Sequence, residues 1–203
     1  MAAYPNVITP KFEEVFRTDF RLKGRWAGEV FGNHHPLVLE LGCGKGEYTV
    51  ALARKYPGKN FIGVDIKGAR MWVGATDALQ NSLTNVAFLR TRIEFISSCF
   101  APNELSEIWI TFPDPQPQQS RENKRLTSLR FLQSYREIMQ PEGIIHLPTS
   151  AMRHPKQLYT LEKVTDFSNY IFSDFSISFD SRTTIYLREN RISEIKKYFL
   201  PFV

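Results

Sequence analysis

A glycine-rich turn, Leu39-Glu-Leu-Gly-Cys-Gly-Lys-Gly46, lies between a predicted strand and a predicted helix. The apolar run Leu37–Leu41 is typical of a short buried strand, and residues 46–56 place Tyr48, Leu52 and Tyr56 on one helical face. Three alternating glycines allow the backbone to approach a ligand closely. Strand, turn and helix together predict an α/β fold with a ligand site at the turn.

The alternation of strands and helices continues along the chain from this turn. Later strands are predicted at residues 60–64, 85–89, 107–111 and 143–147, and the helices between them at 67–80, 93–100 and 124–139. This order is typical of a doubly wound, mostly parallel, Rossmann-like sheet. Beyond residue 148 we expect a helix at 154–166, strands near 170–179 and 183–187, and a helix at 190–199.

The length of 203 residues is typical of a single domain. We expect residues 36–203 to form this domain and residues 1–35 to form a short N-terminal extension. Within the extension, a short amphipathic helix is predicted from the spacing of Phe12, Val15, Phe16 and Phe20.

The composition excludes several classes of protein. Hydrophobic residues make up 42% and charged residues 23% of the chain, which is typical of ordinary folded proteins. The sequence contains no run of about 18 uncharged apolar residues and does not start with a basic segment followed by an apolar run. We therefore expect a cytoplasmic protein without membrane contact.

Cysteine and histidine usage indicates neither disulfides nor metal. Cys43 and Cys99 form no CxxC pair, and we expect both to be reduced and structural. The histidines at positions 34, 35, 146 and 154 lack Cys or carboxylate partners at ligand spacing, so no metal site is predicted.

Positive charge is concentrated in one segment. The net charge is +5 with a pI near 9.2, and residues 115–136 contain five bases against one acid. Such a segment is typical of a protein that binds a polyanion, although a solvated face without a partner explains it equally well.

Two acids near the glycine turn indicate the kind of cofactor. The spacing G-C-G-K-G differs from the dinucleotide pattern G-x-G-x-x-G, and Glu40 would repel a pyrophosphate but attract the cationic amino and sulfonium groups of S-adenosylmethionine. Asp65, about twenty positions further on, would accept hydrogen bonds from ribose hydroxyls. The alternatives are an exposed acid at the end of a strand for Glu40 and a helix N-cap before Lys67 for Asp65.

A second candidate site, Thr111-Phe-Pro-Asp-Pro115, follows the fourth predicted strand, at the sheet edge where ligands bind in open α/β folds. The two prolines favour extended backbone before them, so we expect Asp114 to lie on a stiff loop. Ordinary turn chemistry is the alternative explanation of Pro-Asp-Pro.

These segments, taken in order, resemble the bacterial tRNA (guanine-N7-)-methyltransferase family over about residues 37–150. The stretches that carry the resemblance are Leu39–Gly46, Phe61–Arg70, Asn85–Arg90, Phe112–Pro115, Asn123–Arg125 and Gly143–Leu147. The resemblance implies a class I S-adenosylmethionine-dependent methyltransferase fold and methyl transfer to N7 of a guanine in the tRNA variable loop. It also implies tRNA as partner, for a monomer or a homodimer.

The predicted site has three parts, and Glu40, Asp65 and Asp114 are assigned to it through the resemblance. The resemblance implies that Asp114 is the acid at the reacting centre. The cofactor is expected to contact Glu40, Gly42, Gly44, Gly46, Asp65, Arg92 and Glu94. The tRNA is expected to contact Gln118, Arg121, Lys124, Arg125 and Ser150, with Arg188, Arg191, Lys196 and Lys197 as a second basic edge.

Several positions depart from the family pattern. The family usually has an acidic or amide residue at Arg92, a lysine near Gln118 and a threonine-aspartate pair at Thr149-Ser150, and its C-terminal Thr-Lys-Phe-Glu motif is not evident. These departures leave other hypotheses open: a methyltransferase of another substrate, or a non-catalytic homologue that binds S-adenosylmethionine or RNA. A nicotinamide-dependent dehydrogenase is a third.

Overall fold

The computed structural model describes residues 4–111, 118–146, 176–179 and 184–188, with only the backbone described at 119, 122 and in the last two ranges. These residues form one eight-stranded sheet with the order β1-β4-β3-β2-β5-β6-β8-β7. The strands are β1 Val7–Ile8, β2 Leu37–Leu41, β3 Asn60–Asp65, β4 Val86–Arg90, β5 Leu105–Trp109, β6 Met139–His146, β7 Ser176–Phe179 and β8 Thr184–Arg188. Neighbours from β1 to β6 pair in parallel, and the pairs β6·β8 and β8·β7 are antiparallel.

The helices in the described residues are α1 Glu47–Lys55, α2 Gly68–Gln80, α3 Ile96–Cys99 and α4 Leu129–Ile138. Three 3-10 turns lie at Phe12–Glu14, Ile93–Phe95 and Gln119–Lys124, and a π-helical turn lies at Trp26–Val30. The predicted doubly wound α/β fold is confirmed. The helices predicted at 154–166 and 190–199 lie outside the described residues.

Some boundaries differ from the sequence prediction. The strand predicted at 107–111 runs from Leu105 to Trp109, and the strand predicted at 143–147 already begins at Met139. The helix predicted at 124–139 begins only at Leu129, because Ser128 adopts the extended conformation of an N-cap residue (φ −72°, ψ 155°). The amphipathic helix predicted in the N-terminal residues is only the 3-10 turn at Phe12–Glu14.

Alternating side chains of the parallel strands build two cores, one on each face of the sheet. On one face, Val38, Phe61 and Phe88 pack with α1 and α2. On the other face, the strands pack with α3, α4 and the N-terminal residues. This core includes the fully buried Trp26 from the N-terminal residues and Phe100, which follows α3. Strand β1 also joins the sheet by pairing with β4. The division into an extension, 1–35, and a domain, 36–203, stays a prediction.

The order of the strands fixes the place of the candidate site. From β2 the chain moves through β3 to β4 on one side, whereas β5 and β6 lie on the other side of β2. In open α/β sheets, ligands bind outside the carboxyl ends of the strands at such a reversal. The crevice is therefore expected between the ends of β2 and β5. No helix in the described part of the chain is long and apolar enough to cross a membrane.

Candidate functional site

The glycine turn connects the end of β2 to the start of α1. Gly42, Gly44 and Gly46 all have positive φ angles, of 74°, 57° and 76°. The turn is held against β3, because the Gly42 and Cys43 N–H groups donate to the Val64 carbonyl oxygen at 2.8 and 3.0 Å. At Gly46 a Cβ atom would lie 2.4 Å from the Phe88 ring. Glycine is therefore required at this position by both conformation and packing.

A cleft of about 710 Å³ opens beside this turn. Its volume lies within the range of roughly 300–1,000 Å³ that is typical of small-molecule sites. Its walls come from the turn, α1, the ends of β2 and β3, α2, the 3-10 turn after β4 and the segment before α4. The lining residues are Glu40, Gly42, Cys43, Gly44, Lys45, Glu47, Tyr48, Ala51, Asp65, Arg70, Ile93, Lys124 and Leu126.

Glu40 lies at the floor of the cleft and is 3% exposed. Its carboxylate accepts hydrogen bonds from the hydroxyl groups of Thr49 and of Thr111, the latter at 2.7 Å. Burial raises the pKa of Glu40 above its ordinary value, and the hydrogen bonds from the two threonines lower it in part. The alternative of an exposed acid at the end of a strand is therefore wrong: Glu40 is a buried acid that faces the cleft.

Asp65 connects the glycine turn to the start of α2. Its Oδ2 accepts the Gly44 N–H at 3.0 Å, and its Oδ1 accepts the Lys67 N–H at 2.8 Å. The N-cap of α2 is Lys67, so Asp65 is not the N-cap residue that the sequence left open; it accepts the Lys67 N–H in the turn just before the helix. Each carboxylate oxygen has a second lone pair, so Asp65 can also accept a hydrogen bond from a ligand in the cleft.

A second cavity of about 260 Å³ adjoins the first and shares Gly42, Asp65, Ile93, Lys124 and Leu126 with it. Arg92 and Glu94 line this second cavity, and their charged groups lie 3.6 Å apart. The structure thus brings the predicted cofactor residues to two neighbouring cavities. Gly46 is the exception, since it does not line either cavity and packs beneath the turn against Phe88.

The predicted substrate residues fall into three groups. Lys124 lines both cavities, and Gln118 and Arg121 are exposed beside it, at or near the 3-10 turn that Lys124 ends. Arg125 is only 5% exposed, which does not fit the direct phosphate contact expected of it. Other predicted residues lie outside the described residues: Asp114, Ser150, Arg191, Lys196 and Lys197.

Sequence reasoning missed part of the cleft wall. Tyr48 and Ala51 face the cleft from the first turns of α1, three residues apart as one helical face requires. Arg70 reaches it from the first turn of α2, and Ile93 and Leu126 supply apolar surface. The helical spacing in α1 was a signal for Tyr48, whereas no local pattern marked Ile93 or Leu126.

Cys43 is a thiol among the described residues that line the cleft. Burial, together with the negative charges of Glu40 and Asp65, raises the pKa of the Cys43 thiol well above its ordinary value. Cys43 therefore stays protonated and is a poor nucleophile. Within the described ranges, no three His, Cys, Asp or Glu side chains are grouped as metal ligands.

Comparison with known proteins gives matches over most of the chain. Residues 34–176 match the Methyltransf_4 family model, described as "Putative methyltransferase". The tRNA (guanine-N(7)-)-methyltransferase of Christiangramia forsetii is 59% identical over 148 residues, which cover 73% of this chain and 66% of that protein. The enzyme of the same name from Bacteroides thetaiotaomicron is 56% identical over 151 residues, covering 74% and 59%. The chain thus spans about three fifths to two thirds of the length of these relatives.

More distant proteins share the architecture. The tRNA (guanine-N(7)-)-methyltransferase of a Geobacillus species is 32% identical over 170 residues, covering 84% of this chain and 71% of that protein. Among solved structures, a 16S rRNA (adenine(1408)-N(1))-methyltransferase from Catenulisporales acidiphilia has a TM-score of 0.56 at 18% identity, covering 82% of this chain and 89% of that one. The aminoglycoside resistance methyltransferase NpmB1 has a TM-score of 0.56 at 15% identity, covering 80% and 91%. At these identities the two structures indicate a shared fold alone.

Proposed function

Because the chain belongs to the tRNA (guanine-N(7)-)-methyltransferase family, we propose that it transfers a methyl group from S-adenosylmethionine to N7 of a guanine in the tRNA variable loop. The observation that carries this proposal is the pair of acids, Glu40 and Asp65, that flank the glycine turn in a cleft of suitable size. We also propose the cytoplasm as its compartment, in agreement with the tRNA substrate.

The residues of the cleft fit S-adenosylmethionine. The glycine turn leaves room for close approach of a ligand, Glu40 offers a carboxylate to cationic groups, and Asp65 has free lone pairs for ribose hydroxyls. Ile93 and Leu126 offer apolar contact for the adenine ring. When bound, S-adenosylmethionine supplies an electrophilic methyl group.

The reaction requires little acid–base chemistry from the protein. Guanine N7 carries a lone pair and no proton, so no strong general base is needed. Correct alignment of two reactants can lower the activation free energy by on the order of 7–11 kcal/mol. In this proposal Asp114 orients the guanine and stabilises the positive charge that develops on the purine.

Basic side chains on the rim of the cleft support RNA as the substrate. Lys45, Arg70 and Lys124 are exposed and line the cleft, and Arg121 is exposed on the 3-10 turn that Lys124 ends. Such side chains hold phosphates without reading the sequence of the RNA. A tRNA is then recognised largely by its shape.

The proposal is tested by incubating the purified protein with labelled S-adenosylmethionine and unmodified tRNA, and by mapping the labelled nucleotide. We expect 7-methylguanosine in the variable loop. Label at another nucleotide would indicate a methyltransferase of a different substrate. Salt-sensitive tRNA binding without any methylation would indicate the non-catalytic homologue, and a preference for NAD over S-adenosylmethionine would indicate a dehydrogenase.

A further inference from the structure

Three buried side chains meet beneath the glycine turn. Glu40 lies on β2, Thr49 in the first turn of α1, and Thr111 two residues beyond the end of β5, with exposures of 3%, 0% and 1%. The Thr111 hydroxyl donates to Glu40 Oε1 at 2.7 Å, and the Thr49 hydroxyl donates to Glu40 Oε2. One carboxylate therefore connects the two sides of the crevice between β2 and β5.

The two hydroxyl groups constrain the orientation of this carboxylate. Besides the two hydroxyl groups, the Thr49 backbone N–H also donates to this carboxylate, so three of its four lone pairs are in use. The remaining lone pair can accept a hydrogen bond from a group in the cleft that Glu40 lines. A carboxylate held by these donors cannot rotate without losing a hydrogen bond in a buried place, where an unpaired polar group is costly. The geometry thus fixes the direction in which Glu40 presents its negative charge.

We propose that Thr111 is a positioning residue that holds Glu40 in the orientation that receives the amino group of the cofactor's methionine portion. The inference rests on the proposed function, because it requires S-adenosylmethionine or its product in the cleft. A purely structural role, in which Thr111 only satisfies a buried acid, predicts a different pattern of ligand affinities.

Thr111 is a better test position than Thr49. A Cβ atom on Gly63 would lie 2.7 Å from the Thr49 hydroxyl oxygen, so Thr49 packs tightly against β3 as well as bonding to Glu40. Thr111→Val keeps the shape of the side chain and removes the donor to Oε1. Because the hydrogen bond from Thr111 lowers the pKa of Glu40, its loss raises that pKa further, and less of the carboxylate is ionised at low pH.

The experiment compares two ligands by calorimetry at several pH values. S-adenosylhomocysteine carries the amino group, whereas 5′-methylthioadenosine lacks the whole amino-acid portion. We expect Thr111→Val to lower the affinity for S-adenosylhomocysteine about tenfold, which is the size of effect expected for one hydrogen bond to a charged group. The affinity for 5′-methylthioadenosine should change less than about twofold. The loss should grow as the pH falls, and Thr111→Ser should restore the affinity of the wild-type protein.

Thr127→Val is the matched control. Thr127 is 3% exposed, and among the described residues its hydroxyl has no hydrogen-bond partner. The substitution makes the same chemical change at another buried threonine, so it should leave both affinities unchanged.

Two results would overturn the proposal. One is a Thr111→Val protein with both affinities unchanged. The other is a Thr111→Val protein that binds both ligands more weakly by the same factor, which is the pattern of a structural role. Should the variant not fold, Glu40→Gln decides instead, since an unchanged preference for S-adenosylhomocysteine would show that Glu40 does not receive the amino group. A wild-type protein that binds neither ligand would contradict the proposed function itself, and the two failures are thereby distinguished.

Discussion

At the scale of single residues, Gly46 shows how close packing and backbone conformation act together. Its φ is 76°, and a Cβ atom there would lie 2.4 Å from the ring of Phe88, which is fully buried and cannot move aside. We expect Gly46→Ala to lower the free energy of unfolding by about 2–4 kcal/mol and to weaken S-adenosylhomocysteine binding. Thermal unfolding with and without that ligand measures both effects.

Gly58→Ala provides the control for Gly46. A Cβ atom on Gly58 meets nothing within 4 Å, and its φ lies outside the left-handed region. The same substitution should change stability by less than about 0.5 kcal/mol there. Equal effects at the two positions would contradict the packing argument.

Glu107 gives the protein a pH dependence that is separate from the cleft. Its carboxylate accepts hydrogen bonds from Lys59, from His146 at 2.9 Å and from the Trp109 indole at 3.3 Å, and its side chain is 12% exposed. Burial alone would raise its pKa, but the hydrogen bonds and charges of His146 and Lys59 outweigh burial and lower the pKa to about 2.

The sign of the Glu107 effect follows from linkage. A carboxyl group with a lowered pKa in the folded state stabilises the fold above its unfolded pKa, and the stabilisation is lost as the pH falls toward 2. We expect the free energy of unfolding of the wild-type protein, measured with denaturant, to fall by about 2–3 kcal/mol between pH 5 and pH 2. The Glu107→Gln variant should not show this fall. Parallel pH profiles for the two proteins would refute this assignment.

At the scale of elements, Trp26 holds the N-terminal residues to the C-terminal end of α3. The indole N–H donates to the Cys99 carbonyl oxygen at 2.8 Å, and the ring stacks on Phe100 with centroids 5.3 Å apart. We expect Trp26→Ala to lower the free energy of unfolding, measured by chemical denaturation, by about 3–5 kcal/mol, because it leaves a large cavity. Trp72→Ala should cost less than about 0.5 kcal/mol, because Trp72 is 52% exposed.

The sequence predicted the central strands and helices well because their apolar residues alternate or recur at helical spacing. It placed the start of α4 too early, since Leu126 continues the helical pattern although Ser128 is extended. In the site, Glu40 and Asp65 were found because a glycine pattern marks them. Thr49 and Thr111 were not found as partners of Glu40, because contacts between residues 9 and 71 positions apart leave no local pattern.

At the scale of the whole molecule, the proposed function makes charge the main factor in the encounter with tRNA. Because phosphate contacts release counterions, tRNA affinity should fall as salt rises, and Lys124→Gln should reduce the slope of log K against log salt by about 1. Filter binding at several salt concentrations measures the slope. Lys55→Gln is the control, since Lys55 ends α1 on the side away from the cleft. An equal change in both slopes would argue against a specific role of Lys124.

The two cavities beside the glycine turn have a common wall of five residues: Gly42, Asp65, Ile93, Lys124 and Leu126. A ligand group in one cavity therefore contacts some of the same side chains as a ligand group in the other cavity. Any replacement in this partition alters two affinities at once. One cavity can change alone only through residues that line it singly, such as Tyr48 in the larger cavity and Phe131 in the smaller. An inhibitor that contacts mainly the five shared residues would meet resistance mutations that also weaken binding of the natural ligand.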